Sequence, residues 1–159
     1  MSYVRLANFI SVYRVKDDGT EEFSYRYQNA SPGQVLSYGG RSYQYLSFIY
    51  QGAAKNRTGD NLEAAIVLSV NAISQGIARN VVMNRQHVRI DSVTMSPTNT
   101  VSRKLTTEEW LAASMTYDYE TLEVILSSGI DAVGANAPTQ VLTKTLVGRL
   151  PTTAQIQAR

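Results

Sequence analysis

The chain has 159 residues, which is long enough for one domain with a substantial hydrophobic core. A net charge of only +2 at pH 7 gives no reason to expect the basic patch of a nucleic-acid-binding protein. Because cysteine is absent, disulfides, thiolate catalysis and thiolate metal sites are excluded.

Alternation of apolar and polar residues dominates the first half of the chain and predicts strands. Residues 10–15 and 22–28 both alternate, and they flank Asp18 and Gly19. An Asp-Gly pair in this position is typical of a tight hairpin, because glycine readily takes a positive φ. The second strand is expected to carry three aromatic side chains on one face: Phe23, Tyr25 and Tyr27.

The middle of the chain predicts two further strands and a helix. Residues 41–51 form an aromatic run that follows a glycine pair, so a turn and a strand are expected there. The dense β-branched and aliphatic run at 62–71 also favours a strand. Residues 72–83 repeat apolar side chains at a spacing of four, which predicts a helix that Asn71 or Ser74 can cap.

The second half of the chain continues with alternation at residues 86–95, which predicts another strand. Residues 106–110 read Thr-Thr-Glu-Glu-Trp, the pattern of a capped first helical turn, so a short helix or a long loop covering the sheet is expected. Residues 115–142 predict a strand, a glycine-rich loop ending at Pro138 and a second strand.

These elements together predict a mainly β protein, an antiparallel β-barrel or sandwich with one or two short helices. A single domain is expected over residues 1–150, followed by an extended C-terminal tail at 151–159. No run approaches the roughly 18 apolar residues of a membrane-spanning helix, and the N-terminus lacks a signal-peptide pattern. We therefore expect no membrane span and a protein that is cytoplasmic or released from the cytoplasm.

Side chains suited to catalysis are few. His87 is the only histidine, and a lone histidine in a strand is more often structural than catalytic. Asp118 and Glu120 are expected to share one strand face, as paired carboxylates do in glycosidases, but a solvated strand face is the favoured interpretation. Adjacent acidic pairs point to opposite faces of a strand and do not converge on one ion. The sequence therefore predicts no catalytic site, no metal and no cofactor.

Tyrosine is the one chemically notable residue type, with ten copies. Five of them crowd two predicted neighbouring strands: Tyr25, Tyr27, Tyr43, Tyr45 and Tyr50. Such a platform can stack on bases or sugars, and it can equally build a half-buried sheet face or a protein interface. Because Arg26 and Arg41 alone make a weak electrostatic track, the interface is favoured. A sugar- or single-stranded nucleic-acid-binding β-module is the alternative.

Four segments give the chain the order of features of a known family. They are GRSY at 40–43, IVLSVN at 66–71, VRI at 88–90, and VILSSGID through Ala-Pro at 124–138. In this order the chain resembles the N-terminal, sheet-rich region of tailed-phage minor tail proteins of the lambdoid protein L type, and related small hub or baseplate adaptor proteins. The resemblance covers residues 12–147. Gly129 stands where proline is common in that family, and the cysteine-bearing part of larger relatives, thought to hold an iron–sulfur cluster, has no counterpart.

The resemblance implies a structural component of a bacteriophage tail tip or baseplate, which connects the tail tube or distal tail ring to the central hub. It implies copies of the chain in a ring, with a trimer favoured and a hexamer possible, and no cofactor. The protein is then expected in the host cytoplasm during assembly and in the virion tail afterwards. A low-charge surface rich in tyrosine, asparagine, serine and threonine suits such contacts.

Eight residues are expected at partner interfaces: Tyr25, Tyr27, Tyr43, Tyr45, Tyr50, Arg57, Pro151 and Gln155. The loop at 52–61 and the C-terminal tail are expected to gain order on binding. No nucleic-acid specificity and no enzymatic activity are expected. A tail-associated cell-wall hydrolase acting through Glu120 is a third, disfavoured class.

Overall fold

The computed structural model describes residues 4–52 and 63–128. Within them, nine strands and one helix make the protein mainly β, as predicted. The elements in chain order are β1 (Arg5–Val15), β2 (Glu21–Gln28), β3 (Leu36–Tyr38), β4 (Arg41–Tyr45), β5 (Phe48–Gln51), β6 (Glu63–Ser69), α1 (Ala72–Met83), β7 (His87–Met95), β8 (Val101–Tyr117) and β9 (Thr121–Ser127).

The strands form one sheet with the order β3-β4-β2-β1-β7-β8-β9-β6-β5. It differs from the expected antiparallel barrel or sandwich in two ways. The β2–β4 pair is parallel, so the sheet is mixed. In the part of the chain that the structure describes, the sheet is also not closed, since β3 and β5 stand at its two ends and do not pair with each other. Residues 4–52 and 63–128 contain one short helix, within the predicted range of one or two.

Although it is open, the sheet curls strongly. Only Leu46 and Ser47 separate β4, beside one end of the sheet, from β5 at the other. Because consecutive Cα atoms are about 3.8 Å apart, this link holds the two ends close together. The Leu46 amide also donates a 2.9 Å hydrogen bond to the carbonyl of Gln28, and Asn29 Nδ2 donates one of 3.3 Å to the carbonyl of Phe48. These contacts bring the β2 and β5 regions together.

The curl gives the sheet an inner face, which carries Ile10 and Val12 of β1, and an outer face, which carries Phe9 and Ser11. Helix α1 packs on the inner face through Ala78 and Val81. The main core lies between them, and its large members are Ile10, Val12, Phe48, Ile66, Leu68, Val88, Ile90, Trp110, Leu122, Val124 and Leu126. An apolar cavity of about 40 Å³ remains beneath the helix.

The helix begins and ends where the sequence predicts. Both candidate caps are used, because Asn71 Oδ1 accepts a 2.8 Å hydrogen bond from the amide of Ser74 and Ser74 Oγ accepts one of 3.0 Å from the amide of Asn71. This reciprocal capping satisfies amides that the first helical turn leaves without partners. The predicted 10–15 and 22–28 hairpin is also confirmed, with Gly19 at φ 81° in its turn.

A second, smaller core covers the outer face of β1, so the middle of that strand is buried on both sides. The hairpin of β3 and β4 folds over it, and Phe9 stacks on Tyr38 with ring centroids 4.6 Å apart. Its buried members are Ala7, Phe9, Leu36, Tyr43, Val93 and Met95. Burial in this outer core attaches the short β3–β4 hairpin to the rest of the fold.

Three sequence predictions are corrected by the structure. Residues 41–51 are not one strand: they divide at Leu46 and Ser47 into β4 and β5, which lie far apart in the sheet order. Residues 106–110 are not helical but belong to the long strand β8, where pairing with β7 and burial of Trp110 override the local capping pattern. The third correction concerns β2.

An irregularity in the β1–β2 pairing rotates the aromatic residues of β2 onto different faces. Val12 lies opposite Tyr25, whereas its neighbour Tyr13 lies opposite Phe23, so Ser24 is the extra residue of a bulge. Tyr25 therefore faces inward with Tyr27, and Phe23 faces outward. The expectation that all three aromatic side chains share one face is wrong.

Candidate functional site

The outer face carries a continuous cluster of rings and arginines beside the second core. We call it the outer-face cluster and define it by Tyr13, Phe23, Arg26, Arg41, His87 and Arg89. Its rings are in contact, with Tyr13 centred 5.3 Å from Phe23 and stacked on His87 at 5.2 Å. Strand register builds it, because β1–β2 pairing sets Tyr13 opposite Phe23 and β1–β7 pairing sets it opposite His87.

At one end of the cluster, Arg89 is fully engaged. Its Nη2 lies 2.8 Å from a Glu21 carboxylate oxygen and its Nε 2.6 Å from Glu109, while its guanidinium carbon stands 4.9 Å from the centre of the Tyr13 ring. The hydrogen bond from Arg89 lowers the pKa of Glu21, and the same bond raises the pKa of Arg89. This end of the cluster is a satisfied cross-strand ion network, and its role is structural.

At the other end, two arginines share one aromatic ring. The guanidinium carbons of Arg26 and Arg41 lie 4.6 Å and 4.3 Å from the centre of the Phe23 ring. Among the described residues no carboxylate lies within ion-pair distance of either guanidinium. The Nε of Arg26 is buried and has no hydrogen-bond partner in that part of the chain. These two guanidiniums are therefore held against the ring without an ion pair among the described residues, although Glu21 lies near enough to Arg41 for its pKa to be lowered by that charge.

The two arginines flank a gap between strands, which we call the wedge. Strands β2 and β4 pair only where Tyr27 meets Gln44 and Gln28 meets Tyr45, and they diverge beyond that point. The divergence opens a pocket of about 200 Å³. It is lined by Phe23, Ser24, Tyr25, Arg26, Tyr27, Ser42 and Gln44. The wedge thus combines a guanidinium with hydroxyl and amide groups.

The five tyrosines do not form the platform on two neighbouring strands that the sequence suggests. Tyr25 and Tyr27 stack at 6.0 Å and pack against the main core. Tyr43 is 3% exposed, and its hydroxyl lies 2.9 Å from Ser11 Oγ within the outer core. Tyr45 is half-buried at the end of β4, and Tyr50 is on the strand at the opposite end of the sheet.

Tyr50 instead belongs to a separate polar contact on the inner face. Its hydroxyl donates to the carboxylate of Glu108 and accepts a 3.2 Å hydrogen bond from Trp110 Nε1. Burial, together with the hydrogen bond to the Glu108 carboxylate, raises the pKa of the Tyr50 phenol well above its ordinary value. The neutral phenol of Tyr50 makes two hydrogen bonds to residues of β8, and these bonds help to hold the sheet in its curled shape.

The remaining candidates from the sequence lie elsewhere. Asp118 and Glu120 are in the turn between β8 and β9. There an Asp118 carboxylate oxygen accepts hydrogen bonds from the amides of Thr121 and Glu120, which lower the pKa of Asp118. The expectation that Asp118 and Glu120 share one strand face is therefore wrong. Arg57, Pro151 and Gln155 lie outside the described residues, as do the 52–61 loop beyond Gly52 and the C-terminal tail.

Two further observations bear on the classes of site. Between residues 4 and 52 and between 63 and 128, no group of three histidine or acidic residues is arranged to hold a metal ion. No helix in these two ranges is long and apolar enough to cross a membrane.

Comparisons with known proteins add no assignment. The sequence matches no family model, and no curated protein matches it either.

The interface roles of the tyrosines stay predictions, with Tyr43 inaccessible in this fold. Sequence reasoning named Arg26 and Arg41 but missed Phe23 as the ring that joins them, because the bulge at Ser24 has no clear sequence signal.

Proposed function

We propose that this chain is a structural component of a bacteriophage tail tip or baseplate, which connects the tail tube or distal tail ring to the central hub. In this proposal, copies of the chain form a ring, with a trimer favoured and a hexamer possible. The ring is assembled in the host cytoplasm and then resides in the virion tail. The order of sequence segments at 40–43, 66–71, 88–90 and 124–138 is the source of the assignment.

The structural observation that carries the proposal is the long strand β8. Its residues 101–111 pair with β7 and its residues 111–117 pair with β9, so within the described residues the first ten residues of β8 are paired on one side only. Most of this stretch is exposed, including Leu105 at 48%. An unpaired strand edge is a template for joining another chain, and ring assemblies use such edges.

The experiment is to measure the mass of the purified chain by light scattering, alone and mixed with the tail proteins encoded beside it. A ring of identical subunits, or a complex with a hub or tube protein, is expected. Leu105→Lys is expected to weaken assembly, since it places a charge on the open edge. Val15→Lys is the matched control, because Val15 is 49% exposed on a strand far from that edge. A chain that stays monomeric alone and binds none of these tail proteins would contradict the proposal.

One observation supports the alternative, a sugar- or single-stranded nucleic-acid-binding module. The two guanidiniums on the Phe23 ring, which make no ion pair among the described residues, can hold a phosphate. Binding of oligothymidylate or of glycans, lost in Phe23→Ala and kept in Tyr119→Ala, is the expected result for this class. Absence of binding to both ligands removes it.

A further inference from the structure

We infer that the wedge between β2 and β4 is a binding site for an acidic side chain presented on an extended segment of a partner protein. Binding is a property of the isolated chain and does not depend on the tail assignment. Three features of the wedge support this inference: its charge, its shape and the limited strength of its positive field.

The charge of the wedge requires an anion. Arg26 and Arg41 are held against the ring of Phe23, and neither makes an ion pair among the described residues. The buried Nε of Arg26 lacks the hydrogen-bond acceptor that a buried donor ordinarily has. A guanidinium presents a planar fork of donors that matches a carboxylate, so an incoming aspartate or glutamate can bond to the exposed Arg41 and to the accessible part of the half-buried Arg26.

The shape of the wedge favours an extended segment as the carrier. On the side facing β4, residues 21–26 of β2 have no strand partner within the described part of the chain, because the β2–β4 pairing is confined to Tyr27 and Gln28. A peptide in strand conformation can bond to such an edge while every second side chain enters the pocket. The pocket of about 200 Å³ accommodates a carboxylate side chain, with Ser24, Ser42 and Gln44 as additional polar groups.

The field around the wedge favours a carboxylate over a nucleic acid. Glu21 lies beside the outer-face cluster in its ion pair with Arg89, and Arg41 contributes to lowering the pKa of that same Glu21. The net charge of the chain is only +2. A phosphate backbone needs a continuous series of cations to release its counterions, whereas one carboxylate needs only the pair that is present.

The test uses a six-residue peptide with blocked ends, in which glutamate alternates with valine, and a matched peptide with glutamine in place of glutamate. Amide chemical shifts and calorimetry report on binding to the purified full chain. We expect the glutamate peptide to shift the amides of Ser24, Arg26 and Gln44. Its affinity should exceed that of the glutamine peptide by about tenfold, since charge-assisted hydrogen bonds are about twice as strong as neutral ones.

Three variants separate binding from folding. Arg26→Gln with Arg41→Gln should lose the preference for glutamate. Arg41→Gln alone, which changes an exposed residue and leaves the half-buried Arg26 in place, should lower the affinity by about threefold or more. Arg103→Gln removes an exposed arginine of β8 outside the wedge and should change nothing. Each variant is compared with the wild type in thermal unfolding.

Several outcomes would overturn the inference. Two of them are equal binding of the two peptides and equal binding by the wild type and the double variant. A third is the absence of any amide shift at a peptide concentration of about 5 mM, because a charged pair and a strand edge together should give a dissociation constant below that concentration. Displacement of the peptide by oligothymidylate at lower concentration than by acetate would instead assign the wedge to nucleic acid. Displacement by inorganic phosphate alone would assign it to a free anion.

Discussion

The hydroxyl of Tyr50 lies between Glu108 and Trp110, donating a hydrogen bond to the carboxylate and accepting one of 3.2 Å from the indole nitrogen. Tyr50 is on β5, and its two partners are on β8, with β6 and β9 between these strands in the sheet order. The contact therefore spans the inner face rather than joining neighbouring strands. It is possible only because the sheet curls.

Tyr50→Phe is expected to lower the free energy of unfolding by about 1–3 kcal/mol, because it leaves a carboxylate and an indole N–H without their partner. Urea denaturation of the variant and the wild type measures the difference. Tyr119→Phe is the matched control, since Tyr119 is fully exposed and its loss of a hydroxyl should be nearly neutral. Equal losses in the two variants would contradict the role given to Tyr50.

The same phenol predicts a dependence of stability on alkaline pH. Its pKa is raised in the folded protein, first by burial and then by Glu108, whereas an unfolded tyrosine ionises near a pKa of about 10. A folded pKa above the unfolded one means that the stabilisation is complete below about pH 10 and is lost as the pH rises further. The difference in unfolding free energy between the wild type and Tyr50→Phe should shrink from about pH 10 upward. A difference that stays constant to about pH 11.5 would refute this prediction.

Gln28 should be among the least replaceable polar residues of the fold. Its fully buried side chain donates hydrogen bonds to the carbonyls of Ser31 and Gln34 at 2.9 Å and 3.0 Å, and accepts from the amides of Ala30 and Ser31 at 2.7 Å and 2.8 Å. Gln28→Leu leaves the amides of Ala30 and Ser31 and the carbonyl of Gln34 without this partner, while the carbonyl of Ser31 keeps a 3.2 Å hydrogen bond from the amide of Gln34. We expect a loss of about 3 kcal/mol or more in urea denaturation.

The control for that substitution is Gln51→Leu, an exposed glutamine at the end of β5, which should stay within about 0.5 kcal/mol of the wild type. If Gln28→Leu proved equally mild, water would have to reach the turn at 29–34. Faster hydrogen exchange of the Ala30 and Ser31 amides would reveal this.

Asn71→Ala is expected to cost about 1 kcal/mol, because the amide of Ser74 loses the side-chain acceptor that caps α1. Asn71→Asp keeps an acceptor at the same position and adds a favourable charge at the helix N-terminus, so it should retain wild-type stability. Thermal unfolding of the two variants and the wild type checks the order. A destabilised Asp variant would show that the side-chain nitrogen of Asn71, rather than its side-chain oxygen, is needed for stability.

Local chemistry explains which parts of the fold were readable from the sequence. The sequence predicts the helix at 72–83 with its caps because spacing and capping are encoded within a few residues. The hairpin around Gly19 was predicted for the same reason. Residues 106–110 carry an equally good local signal for a helical turn, but pairing with β7 and the burial of Trp110 overrule it. That information lies in residues distant in sequence.

The wedge shows the same limit at the level of a site. The sequence supplied Arg26 and Arg41 as a weak electrostatic pair, whereas the ring that joins them depends on the bulge at Ser24. A one-residue change of register moves a side chain to the other face of the sheet, and no pattern in residues 22–28 predicts the bulge that causes this change. The division of 41–51 at Leu46 is equally hidden, since no glycine or proline interrupts this stretch.

The two-residue link of Leu46 and Ser47 makes the two ends of the open sheet mechanically dependent on each other. A loop of ordinary length would absorb a displacement of β4, but a pair of residues anchored by the Leu46 amide on Gln28 leaves little slack. A load applied at β4 therefore passes directly into β5. The strand that borders the wedge and the strand that carries Tyr50 respond as one unit.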